Sequence, residues 1–366
     1  VADLIKDLYN LDYMQKLGAA IKDVYAPFAV NEFVAATLNE RWAGLELKAR
    51  MRQITENLRK FLPTGYTDAI GVIDKVIVGY GDWLTGFGAM FFPDFVEVYG
   101  LAEADWDVSI AALERYTRHA SAEFAVRPFI IKDERRMMAQ MYAWSKSGDN
   151  HVRRLASEGC RPALPWAQAL PSFKKDPSPI FPILEELKAD PDLYVRKSVA
   201  NNLNDISKTH PELVIKIVSN WHGKNDWTDW IVKHACRTLL KKGNADALAI
   251  FGFQNADAMD AGEFAVSQPT VSIGGSFDIM FTIKAKERVK VRLEYAVDFV
   301  KANGRLSRKI FQISESNMKA DEIRKYSKNH SFADLSTRKH YPGTHAVTLI
   351  VNGVERGTLK FEVAKR

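Results

Sequence analysis

The stretch DPDLYVRKSVANNLNDISKTHPE (190–212) decides how this chain folds. Val195, Val199, Leu203 and Ile206 recur at helical spacing, with Ala200 beside them, and make one apolar stripe of an amphipathic helix. The opposite side carries Asn201, Asn202, Asn204 and Asp205. These residue types compete with the helix for backbone hydrogen bonds and are a poor choice where helix formation alone matters. The pattern predicts a helix whose polar side is turned toward something.

Working outward, the stretch has relatives in the same chain. DNHVRRLASEG (149–159), PDLYVRKSVANNL (191–203) and WTDWIVKHACRTLL (227–240) each set an acidic residue before a Val-basic pair and then continue as a small or apolar helix. Val152, Val195 and Val232 align, 43 and 37 residues apart, close to the repeat of about 40 residues in HEAT-type helix pairs. IFPILEELKAD and PELVIKIVSNW between them supply second helices. Such pairs stack into a curved solenoid with a concave binding face. The register aligns Arg154, Lys197 and His234, and also Glu158, Asn201 and Thr238. With Arg161, Lys208, Arg237, Lys241 and Lys242 nearby, this surface suits a phosphate backbone.

Residues 1–255 read as helical throughout, for example LNERWAGLELKARMRQITENLRKFL (38–62). From about 265 the texture changes to strands and turns, and Asn352-Gly353 is a two-residue hairpin signal. The expected fold is mainly α: a HEAT-like helical repeat solenoid (1–255) followed by an immunoglobulin-like β-sandwich (263–366), joined by the small, acidic stretch FQNADAMDAGEF (253–264). The basic segments KAKERVKVR (284–292) and STRKH (336–340) of the second part would close over a polyanion from the side opposite the solenoid.

Composition narrows the classes. The 366 residues carry a net charge of +6, which favours a polyanionic partner. Two cysteines, Cys160 and Cys236, form no CxxC, so neither a thiol-rich zinc site nor a disulfide framework is expected, and a cytoplasmic setting is the default. The apolar stretch AIGVIDKVIVGYGDWLTGFGAMFF (69–92) is broken by Asp74, Lys75 and Asp82 and reads as buried helices, not a membrane span. GYGDWLTGFG (79–88) fits neither a phosphate loop nor a dinucleotide fingerprint. There is no HExxH and no GxSxG, and His330, His340 and His345 on strand and loop positions make a poor metal cluster.

Three carboxylates stand out, because a surface for phosphates otherwise avoids acids. Glu158 and Asp205 fall on the polar side of successive repeats, and Glu123 in SAEFAVRPF precedes them. Each has a plain structural explanation: Glu158 with Arg154 one turn away, Asp205 with Lys208, Glu123 with Arg127. Trp166, in the proline-punctuated loop CRPALPWAQALP (160–171), is the tryptophan best placed to meet a ligand.

Taken together, SAEFAVRPF, DNHVRRLASEGCRPALPW, DPDLYVRKSVANNLNDISKTHPE and WIVKHACRTLLKKG resemble the AlkC branch of the HEAT-like-repeat DNA alkylation repair glycosylases over about residues 90–250. Some AlkC-type proteins also carry an immunoglobulin-like domain at the C-terminus. The resemblance implies a monofunctional DNA glycosylase for cationic alkylated bases, chiefly N3-methyladenine. It would act as a monomer on double-stranded DNA, without cofactor or metal, and hold the lesion without extruding it. It maps the catalytic acids onto Glu123, Glu158 and Asp205. Arg154, Arg161, Trp166, Lys208 and Arg237 are then the expected DNA contacts. The alternative is a non-enzymatic repeat scaffold that binds nucleic acid or protein through the same face.

Overall fold

The structure, a computed structural model, describes residues 5–335 and 338–365. The chain divides into two compact units. One holds the residues up to Thr209 together with Gly223–Ala235. The other holds His210–His222 and the residues from Cys236 onward.

The first unit is helical. Leu11–Val24 packs on Val30–Thr37, and Leu47–Phe61 on Phe91–Tyr99. The apolar stretch 69–92 becomes the helix Tyr66–Tyr80, a 3-10 turn at Gly86–Ala89 and the start of Phe91–Tyr99. Ile70, Ile73, Val76, Phe91, Phe92 and Phe95 are all buried. Among the described residues no helix is long and apolar enough to cross a membrane.

The repeat read from Val152, Val195 and Val232 takes shape as three helices, Asn150–Gly159, Leu193–Ile206 and Asp226–Ala235, with the middle one packed against both others. The three valines are fully buried. The acidic residue ahead of the first two is the helix cap. Asp149 accepts from His151 N and Val152 N, and Asp192 from Tyr194 N. In the third repeat Asn225 takes that place, accepting from Trp227 N and Thr228 N.

The asparagines of 190–212 do a different job from the one their position suggests. Their side of the helix is buried: Asn202, Asn204 and Asp205 are no more than 6% exposed. Asn202 Nδ2 donates to Ser157 O at 2.8 Å, and the hydroxyls of Ser157 and Ser198 lie 2.6 Å apart. The amide spends its donor on the neighbouring repeat, where a buried carbonyl would otherwise go unsatisfied.

In the second unit three short helices (Pro211–Trp221, Arg237–Lys241, Ala245–Ile250) group with the strands β1 (Met259–Val266), β2 (Thr270–Ser272), β3 (Ser276–Ala285), β4 (Val289–Val300), β5 (Leu306–Met318), β6 (Ile323–Ser331), β7 (Gly343–Val351) and β8 (Val354–Ala364). One sheet has the order β1-β3-β6, the other β2-β8-β7-β4-β5. Phe277, Ile279, Val291, Leu293, Val347 and Leu349 belong to the core they share. Asn352 and Gly353, at φ 47° and 79°, close the β7–β8 hairpin as the sequence predicts.

The linker expectation needs revision. From Met259 the acidic stretch is already a strand, paired to β3 through Met259–Ala285 and Ala261–Ile283. β1 is an edge strand: Asp260, Gly262 and Glu263 face water, while Met259 enters the core and Phe264 and Val266 pack against it. The histidines are separately engaged. His330 Nδ1 meets Tyr295 Oη at 2.9 Å, His345 Nε2 accepts from Val300 N at 3.2 Å, and His340 Nδ1 lies 3.3 Å from Asp334. Among the described residues no group of three or more His, Cys, Asp or Glu side chains is arranged to hold a metal ion.

Cations of the basic segment 284–292 are engaged within their own unit. Arg292 is buried between Glu294 and Glu315, Lys286 pairs with Asp260 at 2.8 Å, and Lys290 lies over the Phe253 ring. A basic surface that takes in Arg338 and Lys339 of STRKH is also present: a cavity of about 950 Å³ bordered by Lys301, Arg305, Arg308, Lys309, Arg338 and Lys339, with no acidic residue on its lining. Of STRKH, Ser336 and Thr337 lie outside the described residues.

Candidate active site

All three singled-out acids lie in the first unit, and the structure joins them through two arginines. Arg154 and Glu158 sit one turn apart on the helix Asn150–Gly159, on the side away from Val152, Leu155 and Ala156. Arg154 Nη1 meets Glu123 Oε2 at 2.7 Å, and Nη2 lies 3.8 Å from Glu158 Oε1. Arg161, just past the same helix, reaches Glu158 Oε1 at 2.5 Å with Nη1 and Asp205 Oδ2 at 2.8 Å with both Nε and Nη2. Lys208 Nζ closes on Asp205 Oδ1 at 2.8 Å. The result is one chain of alternating charge: Glu123, Arg154, Glu158, Arg161, Asp205, Lys208.

Burial deepens along it. The side chain of Glu123 is 16% exposed, that of Glu158 6% and that of Asp205 3%. Charges this far from water are tolerable only when paired and hydrogen-bonded. For Arg154 and Arg161 burial alone would lower the pKa. The carboxylates around each outweigh it, and both guanidiniums are held above the ordinary arginine value.

These arginines therefore differ from the expectation. A phosphate contact calls for a solvent-facing cation, whereas Arg154 and Arg161 are only 15% and 9% exposed and are engaged by acids. Lys208 is 48% exposed beyond its bond to Asp205. Arg237, half-buried on Arg237–Lys241, falls in the second unit. The Glu123–Arg127 pairing is also replaced. Glu123 takes Arg154 and the Ser121 hydroxyl, while Arg127 is fully buried.

Glu123, Arg154, Glu158 and Arg161 line an open cavity of about 730 Å³, together with Trp166 and Tyr194. Asp205 lies behind this wall, reached through Arg161. Trp166 is 67% exposed and its backbone is left-handed at φ 63°, a conformation a bulky residue adopts only when the surroundings impose it. The surroundings are Lys48, whose Nζ donates to Trp166 O at 2.7 Å, and Arg127, which donates to the carbonyls of Gly159, Arg161 and Gln168. Burial lowers the Arg127 pKa to about 10, which still leaves it charged at neutral pH.

Tyr194, Ser121 and Lys48 were not singled out from the sequence, and Arg127 only as a partner for Glu123. Tyr194 carried a signal: it precedes Val195 as His151 precedes Val152. The two rings meet edge to face, 5.5 Å apart, with Arg154 stacked 4.5 Å from the Tyr194 centroid. Arg127 and Lys48 act over long sequence separations and carried none.

Comparison with known proteins assigns the chain to a class. Residues 103–239 match the family described as "DNA alkylation repair enzyme", and residues 260–365 match "Uncharacterised protein YhaZ, C-terminal Ig-like domain". The "Uncharacterized protein YhaZ" of Bacillus subtilis is 46% identical over 363 residues, spanning 99% of this chain and all of that one. The solved alkylpurine DNA glycosylase AlkC of Pseudomonas fluorescens, bound to DNA containing an abasic site analog, is 35% identical. It matches 99% of this chain and 100% of its own with a TM-score of 0.94. The chain belongs to the AlkC-type branch of the DNA alkylation repair family, with a helical repeat domain and an immunoglobulin-like domain.

Proposed function

We propose that this protein is a monofunctional DNA glycosylase of base excision repair. It hydrolyses the N-glycosidic bond of cationic alkylated bases, chiefly N3-methyladenine, in double-stranded DNA. The observation that carries this reading is the convergence of Glu123 and Glu158 on one cavity wall, with Asp205 joined to them through Arg161. Support comes also from the 35% identity, over nearly the whole chain, to a protein described as an alkylpurine DNA glycosylase.

The chemistry suits these groups. Methylation at a ring nitrogen makes the purine a cation and a good leaving group. As the bond to C1′ stretches, positive charge develops on the deoxyribose, and a carboxylate facing it stabilises that charge and orients or deprotonates water. One such pair at about 4 Å and an effective dielectric near 20 contributes roughly 4 kcal/mol. That amounts to about three powers of ten in rate. The departing base needs no proton, so no general acid is required. An open cavity with acids on its wall and Trp166 exposed beside them fits a lesion kept in the duplex, not extruded into a deep pocket. Between turnovers Arg154 and Arg161 pair with the acids and hold them in place. Lys208 and Arg237 remain the proposed phosphate contacts.

The test is incubation with methylated duplex DNA and chromatography of the released bases. Free N3-methyladenine is expected in excess over other products. DNA binding with no released base would leave the scaffold reading standing instead.

A further inference from the structure

The segment Gly79–Gly88 (GYGDWLTGFG), which fits no phosphate-binding motif, borders the same cavity: Thr85, Gly86, Phe87 and Met90 line it. Phe87 leaves 42% of its surface in water. A lone exposed apolar side chain is ordinary. The backbone that presents this one is not, because it is tied at three successive residues. Gly86 N donates to His119 O at 2.8 Å, Tyr9 Oη donates to Phe87 O, and Tyr13 Oη donates to Gly88 O at 2.5 Å. Tyr9 is fully buried, and burial raises both phenol pKa values, so each remains a donor. Tyr13 in turn packs edge-on against Trp83, which Lys16 covers at 4.1 Å. Gly86 adopts φ 55°, a turn a side chain would strain.

A loop that only crosses a surface needs no such support. Fixing the backbone while leaving the ring in water stores a preorganised contact for something planar. Trp166 repeats the arrangement across the cavity lining, an exposed indole on a backbone held by Lys48. Aromatic rings presented in this way stack on bases, which offer a π-face whatever their sequence. We propose that Phe87 stacks on a DNA base beside the lesion and fills the gap opened when the duplex is held for excision. The inference rests on the DNA glycosylase reading above.

The test uses the full chain and a duplex carrying a stable abasic-site analogue with 2-aminopurine as its neighbour, so that binding is read without catalysis. Parent protein should bind and change the 2-aminopurine fluorescence. Phe87→Ala should weaken binding about five- to 150-fold and abolish the fluorescence change. Phe87→Tyr, still planar, should keep both, and Phe87→Leu, apolar but not planar, should behave as Phe87→Ala. Parental affinity and fluorescence for Phe87→Ala, or full rescue by Phe87→Leu, overturns the stacking role. A parent protein that neither binds this duplex nor releases N3-methyladenine overturns the glycosylase reading instead, so the two failures are told apart.

Discussion

Asp205 answers to two cations at once, with Arg161 on one oxygen and Lys208 on the other, behind a wall that leaves it almost no water. Asp205→Asn therefore acts on stability as well as chemistry. Arg161 keeps Glu158 but loses a buried countercharge, a loss of about 1–3 kcal/mol. Glu123 stands nearer the solvent and lines the cavity directly. Glu123→Gln leaves Arg154 with Glu158 at 3.8 Å, so the melting temperature should fall modestly, and the folded protein should bind DNA at least as well, since a repulsion with phosphate is gone. Its single-turnover excision should drop by one to three powers of ten, roughly 1.4–4 kcal/mol of transition-state stabilisation. A folded Glu123→Gln protein with the parental rate would remove that acid from the mechanism. The three acids were legible because their type was wrong for a phosphate-binding face. Of their partners, Arg154 for Glu158 and Lys208 for Asp205 were legible, each within one turn, and the rest were not. Glu123 reaches Arg154, and Arg161 reaches Asp205 across 44 residues, and no local pattern announces contacts of that range.

At the scale of elements, the loop Cys160–Leu170 depends on a residue outside it. Arg127 satisfies the carbonyls of Gly159, Arg161 and Gln168 from a site without solvent, and so sets where Arg161 and Trp166 begin. Arg127→Met keeps much of the volume and strips all three carbonyls of their donor. A loss of about 3 kcal/mol is expected, read as a lower urea midpoint at unchanged slope. An unshifted midpoint would mean that the loop holds itself. The strands carry a second prediction. Burial, with His340 and Arg338 adding to it, lowers the His330 pKa to about 4. The unfolded chain then binds a proton that the folded one refuses between pH 6.5 and about 4. Stability from this group is full above 6.5 and drains away as pH falls through that window, by about 3 kcal/mol in all. His330→Gln, which keeps an acceptor for Tyr295, should show a smaller fall in melting temperature between pH 7 and 4.5, and an identical fall would discount the histidine. The repeat helices were legible because valine spacing and acidic caps recur, and the hairpin because Asn-Gly demands it. β1 was read as a linker because an edge strand needs backbone partners more than apolar residues.

Across the whole molecule, the net charge of +6 does not come from the site, where three acids and three bases cancel. Part of the excess is concentrated on the immunoglobulin-like part, in the cavity bordered by six basic side chains. Burial first, then the nearby charges of Arg338 and Lys241, lower the pKa of Lys309. Arg308 already meets Asp298 and Glu355, and the like charges around it cost free energy that a bound polyanion offsets. Of the two basic runs the sequence offers in this part, STRKH supplies Arg338 and Lys339 to this cavity, while Lys286 and Arg292 of 284–292 meet carboxylates; linear density of lysine and arginine does not say which charges will. Lys301, Arg305 and Lys339 are exposed, so Gln at all three positions should leave folding intact. If this surface meets phosphates, the slope of log affinity against log salt flattens by roughly one unit per lost contact. Affinity at low salt falls with it. The rate of the chemical step, measured with DNA saturating, stays at the parental value, because none of the three touches the acids. A parental slope over a full salt range would assign the basic cavity to something other than DNA and leave recognition to the helical part.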